Sequence, residues 1–343
     1  MGFYCGIDLH SKRSQVCVIN EDAERVLERR RVPNRIEEVL EFLDPFRDGL
    51  RVVVESTFNW YWLVDGLEDA GCDVTLAHTL GMFAITRAKV KTDRRDAFRL
   101  ARLLRAGEIH PAYIYPRETR PVRDLVRQRT RVVSFRSREY ATIRMRLYQH
   151  GIIDHSRRSA STLGDEELAA FFDHPATRDL VLQERQRIRL YDAQIAELDA
   201  RIVEYTGIYP DYKRLLGVPG LGNTLAAVIF FETADIKRFA SHKHYSSYCR
   251  LVPGTCDSEG SSRRGRGSKQ GNPHLKSAYT QAAQHAQRFY PTIRRCYDRQ
   301  VARHPGRGSK LIATNIIGHK LAIAVFNILD KGVDYREHLI FGK

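Results

Sequence analysis

The chain of 343 residues carries 56 lysines and arginines against 41 aspartates and glutamates, a formal net charge of +15. An excess of this size, most of it arginine, favours a polyanionic partner, commonly nucleic acid, over a merely basic surface. The six cysteines include no CxxC pair, which argues against a zinc site or a disulfide framework and for a reducing cytosol. We expect neither a signal peptide nor a membrane-spanning helix.

The N-terminal third of the chain predicts alternating strands and helices. Short β-rich runs at 3–9 and 15–19, separated by a polar turn, indicate a hairpin, and 25–32 is a candidate third strand. The expected elements then follow in order: a helix at 36–43, a buried valine-rich strand at 51–55, a helix at 60–70, a strand at 73–77 and a helix at 93–105. Three antiparallel strands followed by alternating helices and strands is the element order of a ribonuclease-H-like α/β domain.

Two long helices are predicted in the middle of the chain. Residues 119–149 combine nine arginines with helical apolar spacing. This favours a helix with one basic face turned to phosphate, the alternative being a solvated surface helix. Residues 178–205 place apolar side chains at alternating spacings of about three and four, an approximate heptad seam. Such a seam is typical of a dimerising coiled coil and equally of one hairpin arm packed within the protomer.

A second domain is predicted to begin near residue 209. Its motif Gly-x-Pro-Gly-x-Gly at 217–222 precedes an apolar helix at 225–231 and indicates a helix-hairpin-helix element. Because only glycine lets backbone N–H groups approach a phosphate closely, Gly220 and Gly222 are candidate nucleic-acid contacts. The alternative is an ordinary turn between helices. Two more helices are predicted at 274–288 and 312–329.

Residues 258–272 predict a loop rich in glycine, serine and arginine. Its cations suit phosphate chemistry, because they can stabilise negative charge while a serine hydroxyl attacks phosphorus. These cations are Arg263, Arg264, Arg266 and Lys269. Composition alone favours the simpler interpretation, in which the loop only holds a nucleic-acid backbone.

Four acids stand where predicted strands end or a predicted helix begins. Asp8 ends the first strand, and Glu55 ends the valine-rich strand. Asp93 and Asp96 lie three residues apart on one face of the following helix. Taken alone, each of these acids is best interpreted as a surface charge or a residue at a helix terminus. As a set on a ribonuclease-H-like sheet they are predicted to converge and bind Mg²⁺ or Mn²⁺ in a two-ion site for phosphate chemistry. The flanking cations are further candidate nucleic-acid contacts: Lys91, Arg94 and Arg95.

These motifs, in this order, resemble the DEDD transposases of a bacterial insertion-sequence family whose members are guided by a bridge RNA. The N-terminal resemblance rests on Gly-Ile-Asp at 6–8, Glu55, and Lys-Thr-Asp-x-x-Asp-Ala at 91–97. The C-terminal resemblance rests on the glycine motif, Leu-Val-Pro at 251–253, Ser-x-Gly at 258–260 and Ser-Lys-x-Gly-Asn at 268–272. The two halves occur together and cover nearly the whole chain.

The resemblance implies a RuvC-like domain over 1–150 ending in the basic helix, a helical coiled-coil segment over 151–207, and a mostly helical transposase domain over 208–343. It implies Mg²⁺ held by the four acids and a catalytic serine at Ser258, which reverses the simpler interpretation of the loop. The implied reaction is attack of Ser258 on a DNA phosphate. This leaves a phosphoserine linkage and a free 3′ hydroxyl, and strand exchange follows through a Holliday-junction-like intermediate.

The implied partners are target and donor DNA, a structured bridge RNA, and further copies of the chain, as dimers assembling into a tetramer with shared active sites. The implied location is the bacterial cytoplasm, at the nucleoid, with no membrane. Glu259 departs from the glycine common in the family, and Cys249 and Arg250 stand where small residues are usual, so Ser261 and Ser262 are alternative nucleophiles. The alternative functions are a RuvC-like metal-dependent junction nuclease and a non-catalytic nucleic-acid-binding protein.

Overall fold

The computed structural model describes residues 2–78, 93–152, 162–252, 255–258, 261–264 and 270–342. The chain divides into two compact units, Met1–Ile114 and Tyr115–Lys343. The boundary lies well before the position predicted near residue 150, because the predicted basic helix packs with the C-terminal helices.

A five-stranded mixed sheet forms the centre of the first unit. Its strands are β1 (Phe3–Leu9), β2 (Arg13–Ile19), β3 (Arg25–Pro33), β4 (Leu50–Glu55) and β5 (Asp73–Ala77), in the order β3-β2-β1-β4-β5. β2 pairs antiparallel with both β1 and β3, whereas β4 pairs parallel with both β1 and β5. This confirms the predicted α/β domain and its three leading antiparallel strands.

Helices cover both faces of this sheet because its central strands are apolar on both sides. Val52, Val53 and Val54 are all fully buried, although neighbouring side chains of a strand point to opposite faces. Val52 and Val54 pack with α1 (Ile36–Leu43) and α2 (Tyr61–Asp69). Val53 packs with α3 (Asp93–Arg105) on the opposite face. A 3₁₀ turn at Asp44–Phe46 leads from α1 towards β4.

Gly6 allows α3 to lie directly on β1. A Cβ built at Gly6 would stand 2.1 Å from the carbonyl oxygen of Ala97 and 2.6 Å from the amide nitrogen of Ala101. Only a residue without a side chain permits this approach. The glycine of the Gly-Ile-Asp motif therefore sets the distance between α3 and the strand that carries Asp8.

The second unit begins with a helical hairpin. Its arms are α4 (Arg120–Gln149) and α6 (Pro175–Thr206), with the short α5 (Asp165–Ala169) between them in sequence. Four ion pairs join the arms in antiparallel order: Arg129 with Asp199, Arg136 with Asp192, Glu139 with Arg187 and Arg146 with Glu184. The heptad positions Val181, Ile188 and Ile202 are buried within this unit. Of the two alternatives for the heptad seam, the structure has the hairpin arm.

The remaining helices pack into one apolar core. In chain order the elements are α7 (Pro210–Leu215), α8 (Asn223–Thr233), a 3₁₀ turn (Ile236–Arg238), α9 (His242–Tyr248), β6 (Thr255–Ser258), β7 (Ser261–Arg264), α10 (Pro273–Phe289), α11 (Pro291–Arg303), α12 (Ser309–Lys331) and α13 (Glu337–Phe341). Among the described helices, α12 alone is long and apolar enough to cross a membrane, a property not singled out from the sequence. Its most apolar window is 56% buried inside the protein, which is typical of a core helix.

Residues 255–258 and 261–264, the second of which was expected to be part of a loop, form a two-stranded ribbon. β6 and β7 pair antiparallel, and Ser258 lies opposite Ser261. Two residues, Glu259 and Gly260, separate the strands in sequence. Glu-Gly is not among the strong two-residue hairpin signals, and the high glycine content of the segment favoured the loop instead.

Candidate active site

Acidic side chains of the first unit meet at the carboxyl ends of β1 and β4. These neighbouring strands run parallel, with Ile7 paired to Val54, so Asp8 and Glu55 follow at the same edge of the sheet. Asp8 is buried, and its carboxyl group shares a hydrogen bond with Glu55. Asp96, in the first turn of α3, lies near enough to act electrostatically on Asp8. The structure thus places Asp8 in contact with Glu55, with Asp96 within electrostatic range of Asp8.

Crowding makes Asp8 difficult to ionise. Burial is the main reason that the pKa of Asp8 rises to about 7, and the hydrogen bond to Glu55 and the charges of Glu55 and Asp96 add to it. His10, whose Nε2 lies 3.2 Å from Asp8 Oδ2, acts in the opposite direction. A divalent cation would relieve this repulsion, because carboxylates that bind it need not share a proton.

The described acids suit a metal ion by the type of their ligand atoms, but they do not form a converged ligand set. Asp93 begins α3, but its side chain lies outside the described part of the chain. Within the described residues, no group of three or more His, Cys, Asp or Glu side chains converges as metal ligands. Asp8, Glu55 and Asp96 offer only hard oxygen donors, the kind that Mg²⁺ and Mn²⁺ prefer. The donor set therefore suits the predicted metal.

Two asparagines hold the turn that carries His10. The His10 carbonyl oxygen accepts hydrogen bonds from Asn34 Nδ2 at 2.8 Å and Asn59 Nδ2 at 3.0 Å. Ser14 Oγ in turn donates to Asn34 Oδ1 at 2.7 Å. Sequence reasoning missed these residues, because three separate segments of the chain meet at one carbonyl group. They fix His10 beside Asp8.

Several predicted site residues can be placed only in part. Ser258 ends β6, Arg263 and Arg264 lie on β7, and Arg94 and Arg95 lie on α3, but the side chains of all five are outside the described set. Three predicted nucleic-acid contacts lie wholly outside the described residues: Lys91, Arg266 and Lys269.

A buried ion pair lies at the N-terminus of α10. The Glu232 side chain, in α8, is 1% exposed and accepts hydrogen bonds from Arg127 Nη2 at 2.8 Å and Asn272 Nδ2 at 2.7 Å. A second hydrogen bond comes from Arg127 Nε. Burial alone would raise the pKa of Glu232, but Arg127 and Asn272 stabilise the charged form and hold that pKa below its usual value. An ionised Glu232 thus joins α4, α8 and the start of α10.

Asn272 also closes the base of the serine ribbon. Its N–H donates to the Tyr248 carbonyl oxygen at 2.7 Å, and Arg250 Nε donates to the Gly271 carbonyl oxygen at 3.0 Å. The two ends of the intervening segment are therefore held at one point. The position of Asn272 before Pro273 was a usable signal, because asparagine at the N-cap followed by proline marks a helix start.

Most arginines of α4 turn towards the protein, which corrects the expected continuous basic face. Arg120 and Arg123 are buried, and four others form ion pairs with acids of α6 or α8. The exposed members are Arg131, Arg138 and Arg144. Helical periodicity located the helix, but it could not show that acids of a partner helix neutralise much of its charge.

The glycine motif lies between α7 and α8, as expected for a turn between helices. Gly220 has φ +83°, and a Cβ there would stand 2.2 Å from the Ala282 carbonyl oxygen in α10. Close packing on α10 therefore explains the need for glycine at Gly220. Gly222 is exposed at the N-cap of α8 with open space around its Cβ position, so it stays a candidate for backbone contact with nucleic acid.

Two family models match the chain, and both are transposases. One, a transposase of the DEDD IS110 type, matches residues 5–151. The other, "Transposase IS116/IS110/IS902 family", matches residues 212–298. The first match contains the sheet with its acids, and the second contains the serine ribbon.

Relatives of the chain carry transposase names as well. "Putative transposase y4qE" of Sinorhizobium fredii is 31% identical over 196 residues, 57% of this chain and 48% of that protein. "Probable family 20 transposase" of Pseudomonas aeruginosa is 26% identical over 212 residues, 59% of this chain and 62% of that protein. "Transposase for insertion sequence element IS1533" of Leptospira borgpetersenii is 25% identical over 130 residues, 37% of this chain and 38% of that protein. The chain thus spans between 38% and 62% of the length of these relatives.

An α/β unit with acids at one sheet edge, followed by a helical unit with a serine ribbon, is the architecture to which these two transposase family models match. The two family matches follow the same order, although the first, over residues 5–151, extends beyond Ile114 into the second unit. The chain belongs to the IS110 family of insertion-sequence transposases.

Proposed function

We propose that this transposase cleaves and rejoins DNA in a serine-dependent, metal-dependent recombination reaction guided by a structured bridge RNA. The burial of Asp8 beside Glu55 at one sheet edge, with Asp96 of α3 within electrostatic range, is the observation that carries the proposal. A buried acid held next to other acids is costly unless it binds a cation or a proton. In a transposase, such acids would bind the cations that act on the DNA phosphate.

Asp8, Glu55, Asp93 and Asp96 would hold the divalent ions, as in a RuvC-like domain. When bound, such ions would stabilise negative charge on the phosphate and on the leaving oxygen. His10, held beside Asp8 by the two asparagines, would keep the Asp8 carboxylate oriented. Its Nε2 contact with Asp8 Oδ2 supports this positioning role.

Ser258 would be the nucleophile. Its Oγ attacks the DNA phosphorus, the bond from phosphorus to the 3′ oxygen breaks, and the serine proton is transferred to that leaving oxygen. The product is a phosphoserine linkage and a free 3′ hydroxyl. That hydroxyl then attacks the phosphoserine phosphorus on another strand, the bond from phosphorus to Ser258 Oγ breaks, and the proton returns to the serine as the DNA is rejoined. Glu259, next to the nucleophile, adds a negative charge, so the cations of the ribbon must outweigh it.

Target DNA, donor DNA and the bridge RNA would be the partners, with protomers assembling as dimers and then a tetramer at the bacterial nucleoid. Exposed arginines of α4 support a nucleic-acid surface, which the predicted contacts on α3, the glycine turn and the ribbon would extend. Binding should weaken steeply with salt, on the order of 10³-fold between 50 and 200 mM for about six phosphate contacts.

A metal-dependent junction nuclease is the second candidate, because the same acids could activate water without any serine. Denaturing gels separate the two functions. The protein, purified with its RNA, is incubated with a four-way DNA junction and Mg²⁺, and covalent protein–DNA adduct is measured. We expect an adduct that Ser258→Ala abolishes. Cleavage without adduct that survives Ser258→Ala would establish the nuclease instead.

The acids are tested in the same assay. Asp8→Ala should abolish adduct formation and leave RNA binding nearly intact, because the acid site is small relative to the basic surface. Asp22→Ala, which removes an exposed acid of the same unit, is the matched control and should behave as wild type. Parallel loss of RNA binding in Asp8→Ala would mean that the acids are structural. Nucleic-acid binding by the wild-type protein with neither cleavage nor adduct would favour the non-catalytic alternative.

A further inference from the structure

Phe58 exposes an aromatic ring beside the acidic edge of the first unit. It lies three residues beyond Glu55, in the turn that connects β4 to α2, and is 86% exposed. Among the described residues this is the most exposed large hydrophobic side chain. Exposure of a whole phenylalanine ring is unfavourable in water, so its position next to the acids calls for an explanation.

The turn that carries Phe58 is fixed on both sides. The Ser56 N–H donates to the Ala77 carbonyl oxygen at 3.1 Å, and the Thr57 N–H donates to the Glu55 carbonyl oxygen at 2.9 Å. On the other side, Asn59 Nδ2 donates to the His10 carbonyl oxygen at 3.0 Å. Thr57 Oγ1 also donates to Asn59 Oδ1 at 2.9 Å. The ring is therefore presented by a held backbone that is itself tied to the acidic site.

We propose that Phe58 is a stacking platform for an unstacked base of the DNA strand whose phosphate is bound at Asp8 and Glu55. This rests on the proposed function of that edge. Three residues span at most about 10 Å of extended chain, so a base attached next to the bound phosphate lies within reach of the ring. Stacking accepts any base, because every base has a π face, and so suits an enzyme that leaves sequence choice to base pairing.

The surroundings of Phe58 favour a base over a protein partner. Its neighbours Thr57 and Asn59 are polar, as is His10 on the adjoining turn. In the described part of the first unit, the other exposed large hydrophobic side chain is Val26, which lies on β3 and not beside β4. Protein interfaces need a contiguous apolar patch, whereas one ring is enough for one base.

Fluorescence of a substituted junction tests the proposal. A four-way DNA junction carries 2-aminopurine at its branch point and is titrated with the RNA-bound protein. Binding should change the 2-aminopurine signal with wild type and with Phe58→Trp. Phe58→Ala and Phe58→Leu should lose most of that change and bind about 10-fold more weakly, the scale of one lost stacking contact. Phe289→Ala removes an equally apolar ring that is 66% exposed in the second unit, and should match wild type.

Three results would overturn the stacking role. The first is a Phe58→Ala protein with wild-type affinity and signal, measured while Asp8→Asn is inactive. The second is a Phe58→Leu protein that keeps the wild-type affinity and 2-aminopurine signal, because an apolar contact without stacking would then suffice. The third is a change in oligomeric state of Phe58→Ala with unchanged DNA signals, which would assign the ring to a second copy of the chain. Activity of Asp8→Asn would instead refute the function of the acidic edge, so the two failures are distinguishable.

Discussion

Gly6→Ala should impair catalysis without touching any acid. The added Cβ would stand 2.1 Å from the Ala97 carbonyl oxygen, so α3 must move by more than an ångström to restore ordinary contact. Overpacking of this kind costs about 1–3 kcal/mol of stability. Because α3 carries Asp96, the same movement displaces an acid from Asp8, and a misplacement of about 1 Å can reduce a rate by about 100-fold.

Two measurements on Gly6→Ala separate stability from chemistry. Urea denaturation gives the free energy of unfolding, and the rate of adduct formation on junction DNA gives the chemistry. Gly2→Ala is the matched control, because its Cβ would meet only the flexible Glu21 side chain and the Tyr4 ring at 3.3 Å or more. If Gly6→Ala kept both the stability and the rate of wild type, the close packing of α3 would not determine the geometry of the acids.

Further predictions concern the second unit. Glu232→Gln should lower the free energy of unfolding at pH 7 by about 3 kcal/mol, because the Arg127 guanidinium loses its buried partner. Since the pKa of Glu232 is held below 4.5, its stabilisation is complete above that pH and is lost as the pH falls through the lower folded-state value. Urea denaturation at pH 7 and in acid should therefore show a larger acid-induced loss in wild type than in the variant; equal losses would contradict the ion pair. Arg131→Ala and Arg138→Ala should each lower the salt dependence of RNA binding by about one unit of slope without affecting stability. Arg136→Ala, which breaks an ion pair with α6, should mainly reduce the stability of the hairpin. If Arg131→Ala and Arg138→Ala lowered stability while Arg136→Ala lowered the salt dependence of RNA binding, the exposed face would not be the one that binds nucleic acid.

The sheet of the first unit was predictable because its signals are local. Alternation, valine content and a polar turn located the five strands, and the acids at strand ends indicated where a site would form. Parallel pairing of β1 with β4 then follows from topology and places Asp8 next to Glu55. No local pattern could predict the hydrogen bonds that hold His10 beside Asp8. Asn34 and Asn59 both donate to the His10 carbonyl oxygen, which is far from them in sequence.

The sequence predicted the position of helix α4 better than the exposure of its charged side chains. Counting arginines along α4 indicated a basic face, but Arg129, Arg136 and Arg146 are neutralised by acids of α6 that arrive only when the hairpin closes. Likewise, Gly220 fits a phosphate-binding turn by sequence, yet its close neighbour is the Ala282 backbone of α10. Both observations have the same cause: sequence reports which residues are present, and tertiary packing decides how many of them remain available to a ligand.

Mass spectrometry of the trapped protein–DNA adduct locates the nucleophile itself. The adduct is digested with nuclease and protease, and the peptides are searched for a residual nucleotide mass. A nucleotide on Ser258, absent from the Asp8→Ala protein, is the result expected if the serine ribbon and the acidic edge act on the same phosphate. A nucleotide on Ser261 or Ser262 would move the nucleophile to β7, and cleaved DNA with no modified serine would contradict serine-dependent recombination.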